Sequence, residues 1–225
     1  MVDNNSTDDT KDIARKFTDK VFNQGPERSA QRNYGAAQAK GEYLLIHDSD
    51  IYFAKTSVAE CVELLADGKY QSAILPEESI GNGYWTKIKA YERSFYVGND
   101  YIEAARFFRT DLYNKLGGYD ETLTGPEDWD LTIRIREAGY KIGRTKSFLL
   151  HDEGELNLFG STKKKAYYAN DMGKYAAKHP DWFKKQMSFL VRFTPQQLAA
   201  AVLSHPIKLV SMIIMKGLEF VNAKR

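Results

Sequence analysis

Tyr43-Leu44-Leu45-Ile46 is an unbroken apolar run that passes through His47 directly onto Asp48-Ser49-Asp50. A strand with no polar alternation needs cover on both faces, which requires a sheet with helices packed above and below it. Helical patterns stand on either side: Ser29 to Lys40, alanine-rich and closed by Gly41, and Thr56 to Ala66, ending near Gly68. The same rhythm continues along the chain. A helix runs from about Asp8 to Asp19 and a short strand over Lys20-Val21-Phe22. Ser72 to Leu75 is a strand, Pro76 to Gly83 a polar loop and Trp85 to Tyr96 a helix. Arg106 to Arg109 is a strand and Asp111 to Leu116 a short helix stopped by Gly117-Gly118. Pro126 to Ala138 follows as a helix with proline in its first turn, then Lys141 to Leu150 as a strand. Strands alternating with helices predict an α/β fold with a mostly parallel, Rossmann-like sheet flanked by helices.

A chain of 225 residues can bury a core without disulfides or a structural metal. Its formal charge of +2 excludes a general polyanion binder, so nucleic acid is not an expected partner. The single cysteine, Cys61, sits among Val58, Val62, Leu64 and Leu65 at helical spacing, which fits packing in a reducing compartment. The polar start, Asp3 to Asp9, has no secretory apolar region, which predicts a cytoplasmic protein.

From about Lys163 the composition changes to lysines interleaved with aromatics, including Lys163-Lys164-Lys165 and Trp182-Phe183-Lys184-Lys185. This divides the chain into a body, residues 1–160, and a helical tail, residues 161–225. In the last segment, Ile207 to Val221, the charges Lys208, Lys216 and Glu219 interrupt any span of about 20 apolar residues that could cross a bilayer. Its wide apolar face suits either a lipid interface, making residues 205–225 a peripheral contact with the inner membrane face, or docking on the core or a second subunit.

Asp48 and Asp50 lie two apart at the exit of the buried strand. In extended chain both carboxylates face the same way and can share a divalent ion at the edge where α/β sheets collect ligands. Glu127, Asp128 and Asp130 stand in the first turn of a helix, where the macrodipole keeps carboxylates ionised. An ionised acid there can accept a proton, although acidic first turns are also ordinary helix starts. His151 closes a strand at the same end and offers an imidazole, which suits manganese better than magnesium. The lysines at 163 to 165 can neutralise a diphosphate or form a solvated basic face. No serine elbow, zinc-type histidine pair, Walker loop or Rossmann glycine fingerprint is present.

Taken as a set, Val2 to Thr10, Gly25-Pro26-Glu27-Arg28-Ser29-Ala30-Gln31-Arg32-Asn33-Tyr34-Gly35, Ala39-Lys40-Gly41-Glu42-Tyr43, Asp48-Ser49-Asp50 and Glu127-Asp128-Trp129-Asp130 resemble glycosyltransferase family 2 enzymes of the GT-A fold. The resemblance covers residue 2 to about His151. It implies inverting transfer of a sugar from a nucleotide-diphosphate donor, with Mn2+ or Mg2+, to a lipid-linked or glycan acceptor. By the same resemblance Asp3 reads the nucleotide base, and Arg32 and Asn33 face the nucleotide. Asp48 and Asp50 contact ribose, diphosphate and metal, and His151 is a further metal ligand. Asp128 is the catalytic base, with Glu127 beside it as an acceptor contact. Family members carry a strand and a helix ahead of the Asp3 segment that this sequence lacks. The body is therefore expected to be N-terminally truncated, and a strand edge left open predicts poor solubility, rearrangement, or edge pairing with another copy as a homodimer. Two alternatives stay open: a catalytically impaired nucleotide-sugar-binding or assembly subunit, and a metal-dependent nucleotidyltransferase.

Overall fold

Phe107 and Phe108 are adjacent in one strand and belong to two different cores, because successive side chains of a strand leave on opposite faces. Ala73 and Ile74 divide in the same way, and Leu44 parts from Tyr43 and Leu45. The central strands are thus buried on both sides, as the apolar run at Tyr43 requires. A computed structural model of the chain describes residues 1–157 and 171–223. The lysine cluster at 163 to 165 and the boundary at 160 lie outside the described residues.

The described elements are, in order, β1 (Val2–Asp3), α1 (Thr10–Arg15), β2 (Phe22–Asn23), α2 (Arg28–Gln38), β3 (Tyr43–Leu45), β4 (Ile51–Phe53), α3 (Ser57–Ala66) and β5 (Ser72–Ile74). They continue with β6 (Glu77–Asn82), α4 (Tyr84–Ser94), β7 (Phe107–Arg109), α5 (Thr110–Lys115), α6 (Glu127–Glu137), β8 (Ile142–Arg144) and β9 (Leu149–Glu155). The tail holds α7 (Met172–Lys178), α8 (Pro180–Met187), α9 (Phe189–Arg192), α10 (Pro195–Ser204) and α11 (Pro206–Ala223).

The expected mostly parallel sheet is not what forms. The strands make three sheets, β1-β2, β3-β7-β5-β8 and β4-β9-β6. β7 runs antiparallel to both β3 and β5, and β4 antiparallel to β9; only β1 with β2, β5 with β8 and β6 with β9 are parallel. The alternation of strands and helices is real, but periodicity carries no direction. The connection after α4 returns the chain so that β7 enters the sheet from the opposite end. Two further expectations change. The polar segment after Pro76 is strand β6, paired with β9, and the stretch from Lys141 to Leu150 is two strands, so His151 lies inside β9 and not beyond it.

One core packs α2, α5 and α6 on one face of the central sheet through Ala36, Leu112, Tyr113, Leu131 and Ile135. The other packs α3 on the opposite face through Cys61 and Leu65. Burial pushes the Cys61 thiol up to about 12, so it stays protonated and acts as a packing residue. In the tail, Tyr175, Trp182 and Phe183 close over Leu123, Trp129 and Ile133, joining α7 and α8 to α6. Phe193, Ala201, Leu209, Met212 and Met215 pack with Ile88 and Phe95, joining α10 and α11 to α4. Among the described residues no helix is long and apolar enough to cross a membrane.

Candidate functional site

Arg32 projects from α2 with its side chain only 7% exposed and holds two of the predicted acids together. Its Nη2 donates to Asp48 Oδ1 at 2.7 Å, and its Nη1 donates to Asp128 Oδ1 at 3.0 Å and to Glu127 Oε1 at 3.2 Å. The strand-exit motif and the helix-start motif, remote in sequence, therefore share one guanidinium. Burial opposes the charge on Arg32, but Asp128, Tyr119 and Asp48 outweigh it and hold the group protonated. Burial likewise opposes ionisation of Asp48, and Arg32 and then Arg106 keep its carboxyl below the usual range.

A second guanidinium stands beside the first. Arg106 directs Nε and Nη2 at Glu77 Oε1, each at 2.8 Å, while Nη1 lies 3.9 Å from Asp48 Oδ2 and Nη2 lies 3.8 Å from Asp128 Oδ2. Among the described residues Arg106 Nη1 has no hydrogen-bond partner. Glu77 also accepts from Arg93 at 3.0 Å. Burial works against its charge, yet Arg106, the bond to His151 and Arg93 hold it well below the ordinary glutamate range. Arg106, Glu77 and Arg93 were not among the expected site residues. The sequence signal for Arg106 was a charge set in an apolar strand, which must be paired to be buried.

Asp50 and His151 meet across β4 and β9, where Ile51 pairs with His151. His151 Nε2 lies 3.4 Å from Asp50 Oδ2, and Nδ1 lies 3.5 Å from Glu77 Oε2. The bond to Glu77 raises the His151 pKa above its usual value, against burial and Arg93. Among the described residues no group of three His, Cys, Asp or Glu is placed to hold a metal ion. Asp50 and His151 offer two donors, one oxygen and one nitrogen, whereas Asp48 is already bound to Arg32.

The remaining predicted residues sit apart or inward. Glu127 is 1% exposed and accepts from Gly125 N–H at 2.5 Å and from Arg28 at 3.1 Å as well as from Arg32. Its pKa is raised by burial and by the neighbouring Asp128 charge. Asn33 spends its whole hydrogen-bonding capacity on the loop after α5. Its amide donates to Tyr119 O and Glu121 Oε1, and its carbonyl accepts from Tyr113 O–H and Tyr119 N–H. Asp3, at the end of β1, accepts from the Ser6 backbone N–H at 2.7 Å and hydroxyl at 2.6 Å, which lower its pKa.

Beside Asp128 opens a cavity of about 430 Å³, lined by Glu77, Arg93, Tyr96, Arg106 and Trp129 among others, and walled on one side by Lys216 and Glu219 of α11. That volume suits a small-molecule or sugar-sized ligand.

Comparison with known proteins gives the family and the fold. The succinoglycan biosynthesis protein ExoA of Rhizobium meliloti is 28% identical over 167 residues, covering 64% of this chain and 50% of that protein. The probable glycosyltransferase YdaM of Bacillus subtilis is 25% identical over 169 residues, covering 63% of this chain and 40% of that protein. The chain thus spans half or less of the length of these relatives. Among solved structures, the mannosyltransferase PcManGT from Pyrobaculum calidifontis, in complex with GDP-Man and Mn2+, superposes with a TM-score of 0.64 at 16% identity, covering 99% of this chain and 75% of that one. The S. aureus TarS fragment 1-349 gives 0.53 at 17% identity, covering 99% of this chain and 78% of that one. At such identities the likeness shows the fold alone. The sequence model described as glycosyl transferase family 2 matches residues 1–123, more than half of the chain and the stretch that carries Arg32 and Asp48. On that match, this chain belongs to glycosyl transferase family 2.

Proposed function

We propose that the protein transfers a sugar from a nucleotide-diphosphate donor to an acceptor hydroxyl with inversion at the anomeric carbon. The observation that carries this reading is the Arg32 bridge, which sets Asp48 and Asp128 on one guanidinium, with Asp128 in the wall of the cavity. Asp128 takes the proton from the acceptor hydroxyl, whose oxygen attacks the anomeric carbon as the bond to the diphosphate oxygen breaks. No covalent intermediate on the protein is required. Arg32 orients the Asp128 carboxylate. Asp48, also held by Arg32, faces the donor with Asp50, while Asp3 serves the nucleotide base. Glu127, buried and fully engaged, fixes the helix start from which Asp128 projects.

Asp50 and His151 would hold a divalent cation, and one oxygen and one nitrogen donor suit manganese or magnesium. Such an ion would offset negative charge on the departing diphosphate. Glu77, on the far side of the His151 ring, holds that ring in place, as partners of metal-binding histidines do. The Mn2+ bound by PcManGT supports this reading by analogy of fold. The acceptor is a lipid-linked or polysaccharide hydroxyl compound, and the cavity beside Asp128 is its entry.

The test is Asp128→Asn, assayed with UDP- and GDP-sugars and Mn2+. The substitution should lower turnover by at least about a hundredfold, the scale of general-base catalysis, while nucleotide affinity measured by calorimetry survives. Near-normal turnover removes Asp128 from the role.

A further inference from the structure

α11 carries apolar residues on both of its long sides. Leu209, Met212 and Met215 face inward against α4, whereas Ile207, Val210, Ile213 and Ile214 face outward at 75%, 56%, 55% and 51% exposure. The outward stripe does not stop at the helix. Val202 and Leu203 of α10 are 56% and 87% exposed, and Phe189 and Leu190 of α9 are 54% and 62% exposed. α10 and α11 pack against each other and on one shared cluster through Ala201 and Leu209, and Phe193, just past the end of α9, joins the same cluster. Folded helices that are apolar toward solvent as well as toward the core have an outer partner.

The charges around this face indicate which partner. Residues 182–218 contain Lys184, Lys185 and Lys208 and not one Asp or Glu, while Arg192 and Lys216 in the same stretch line the cavity on the inner side. Lys184, Lys185 and Lys208 are exposed. A second copy of the chain fits poorly, because a two-fold dimer sets a patch against itself and would oppose lysine with lysine. A surface of anionic headgroups over hydrocarbon matches both the apolar centre and the basic border.

We propose that the outer face of α9, α10 and α11 seats the protein on an anionic lipid bilayer, with the helices lying in the interface. This stands independently of the transfer chemistry. It has a consequence for the cavity, since the inward side of α11 supplies Lys216 and Glu219 to the wall beside Asp128. The helix that touches lipid is the helix that frames the cavity.

Flotation of the full chain through sucrose with vesicles of phosphatidylcholine alone, or with phosphatidylglycerol added, tests the proposal. The protein should float with the anionic vesicles and much less with the neutral ones. The variant Leu203→Ser/Ile207→Ser/Val210→Ser/Ile214→Ser should bind at least about tenfold more weakly, since it removes the buried apolar anchor. Its melting midpoint and nucleotide binding should remain, because all four side chains point away from the core. The proposal is overturned if wild-type protein stays at the bottom with both vesicle types, if the variant floats equally well, or if sedimentation shows a wild-type dimer that the variant converts to monomer. A failed Asp128→Asn test would leave these flotation results untouched.

Discussion

His179 Nε2 lies 2.8 Å from Asp130 Oδ1, with the histidine 5% exposed and the aspartate fully buried, so the tail grips the first turn of the helix that bears Asp128. Lys178 pairs with the same oxygen at 2.7 Å, and Arg134 holds the other oxygen at 2.8 Å. Removing the ring leaves a buried carboxylate short of one partner. His179→Ala should therefore destabilise the fold by about 1–3 kcal/mol, read as a lower urea or thermal midpoint. An unchanged midpoint would remove His179 from this clamp.

Arg32 faces a harsher test. Arg32→Met takes the shared cation away from Asp48, Asp128 and the buried Glu127, which should cost on the order of 3 kcal/mol of stability. Adding Glu127→Gln relieves the uncompensated charge, so the double variant should lose less than the sum of the singles. Strict additivity in denaturant melts would mean that the pair does not interact.

Acid should loosen the attachment of α11. Glu92 is 1% exposed and accepts from Lys89 at 2.7 Å and Lys216 at 2.8 Å. Burial opposes its charge, but the two lysines win and depress its pKa below the ordinary value of 4.5. A depressed carboxyl contributes stability that is complete above its unfolded pKa and is lost as pH falls through the folded one. Stability should thus decline with pH below that ordinary value, and Glu92→Gln should flatten the decline at the cost of lower stability at neutral pH. An identical pH profile in the variant would refute the assignment.

Gly118 has φ of +67°, and a Cβ there would sit 2.5 Å from Asn33 Oδ1 and 2.9 Å from Tyr113 Cε1. Gly118→Ala should cost about 1–3 kcal/mol, from left-handed backbone strain and from displacing Asn33. Gly117→Ala, which meets open space although its φ is +76°, should cost less. Equal melting midpoints for the two variants would show that contact with Asn33 is immaterial.

Much of the layering was legible in the residues. Tyr43 to Ile46 announced a strand covered on both faces, and Glu127-Asp128-Trp129-Asp130 announced a helix start. Of the two roles expected for α11, docking on the core is the one its inward residues Leu209, Met212 and Met215 fill, and the apolar surface is wide enough to leave a second stripe exposed. Other features depend on partners that composition does not name. The segment Glu77-Glu78-Ser79-Ile80 looks like a loop because it is polar, and it becomes a strand only because β9 supplies its hydrogen bonds. Asn33 was expected to face the nucleotide, and its hydrogen bonds to the Tyr119 loop emerge only once α5 folds back beside it. The direction of β7 was beyond any period, since a reversed strand has the same pattern as a forward one.

That reversal explains how Arg106 reaches Asp48. In a sheet of like-running strands, only last residues arrive at the rim where β3 finishes. A strand running the other way presents its opening residue there, and the bond from Ile46 N–H to Arg106 O at 3.0 Å fixes it in the ladder. The guanidinium is therefore anchored by main-chain pairing and not by the connection that precedes it.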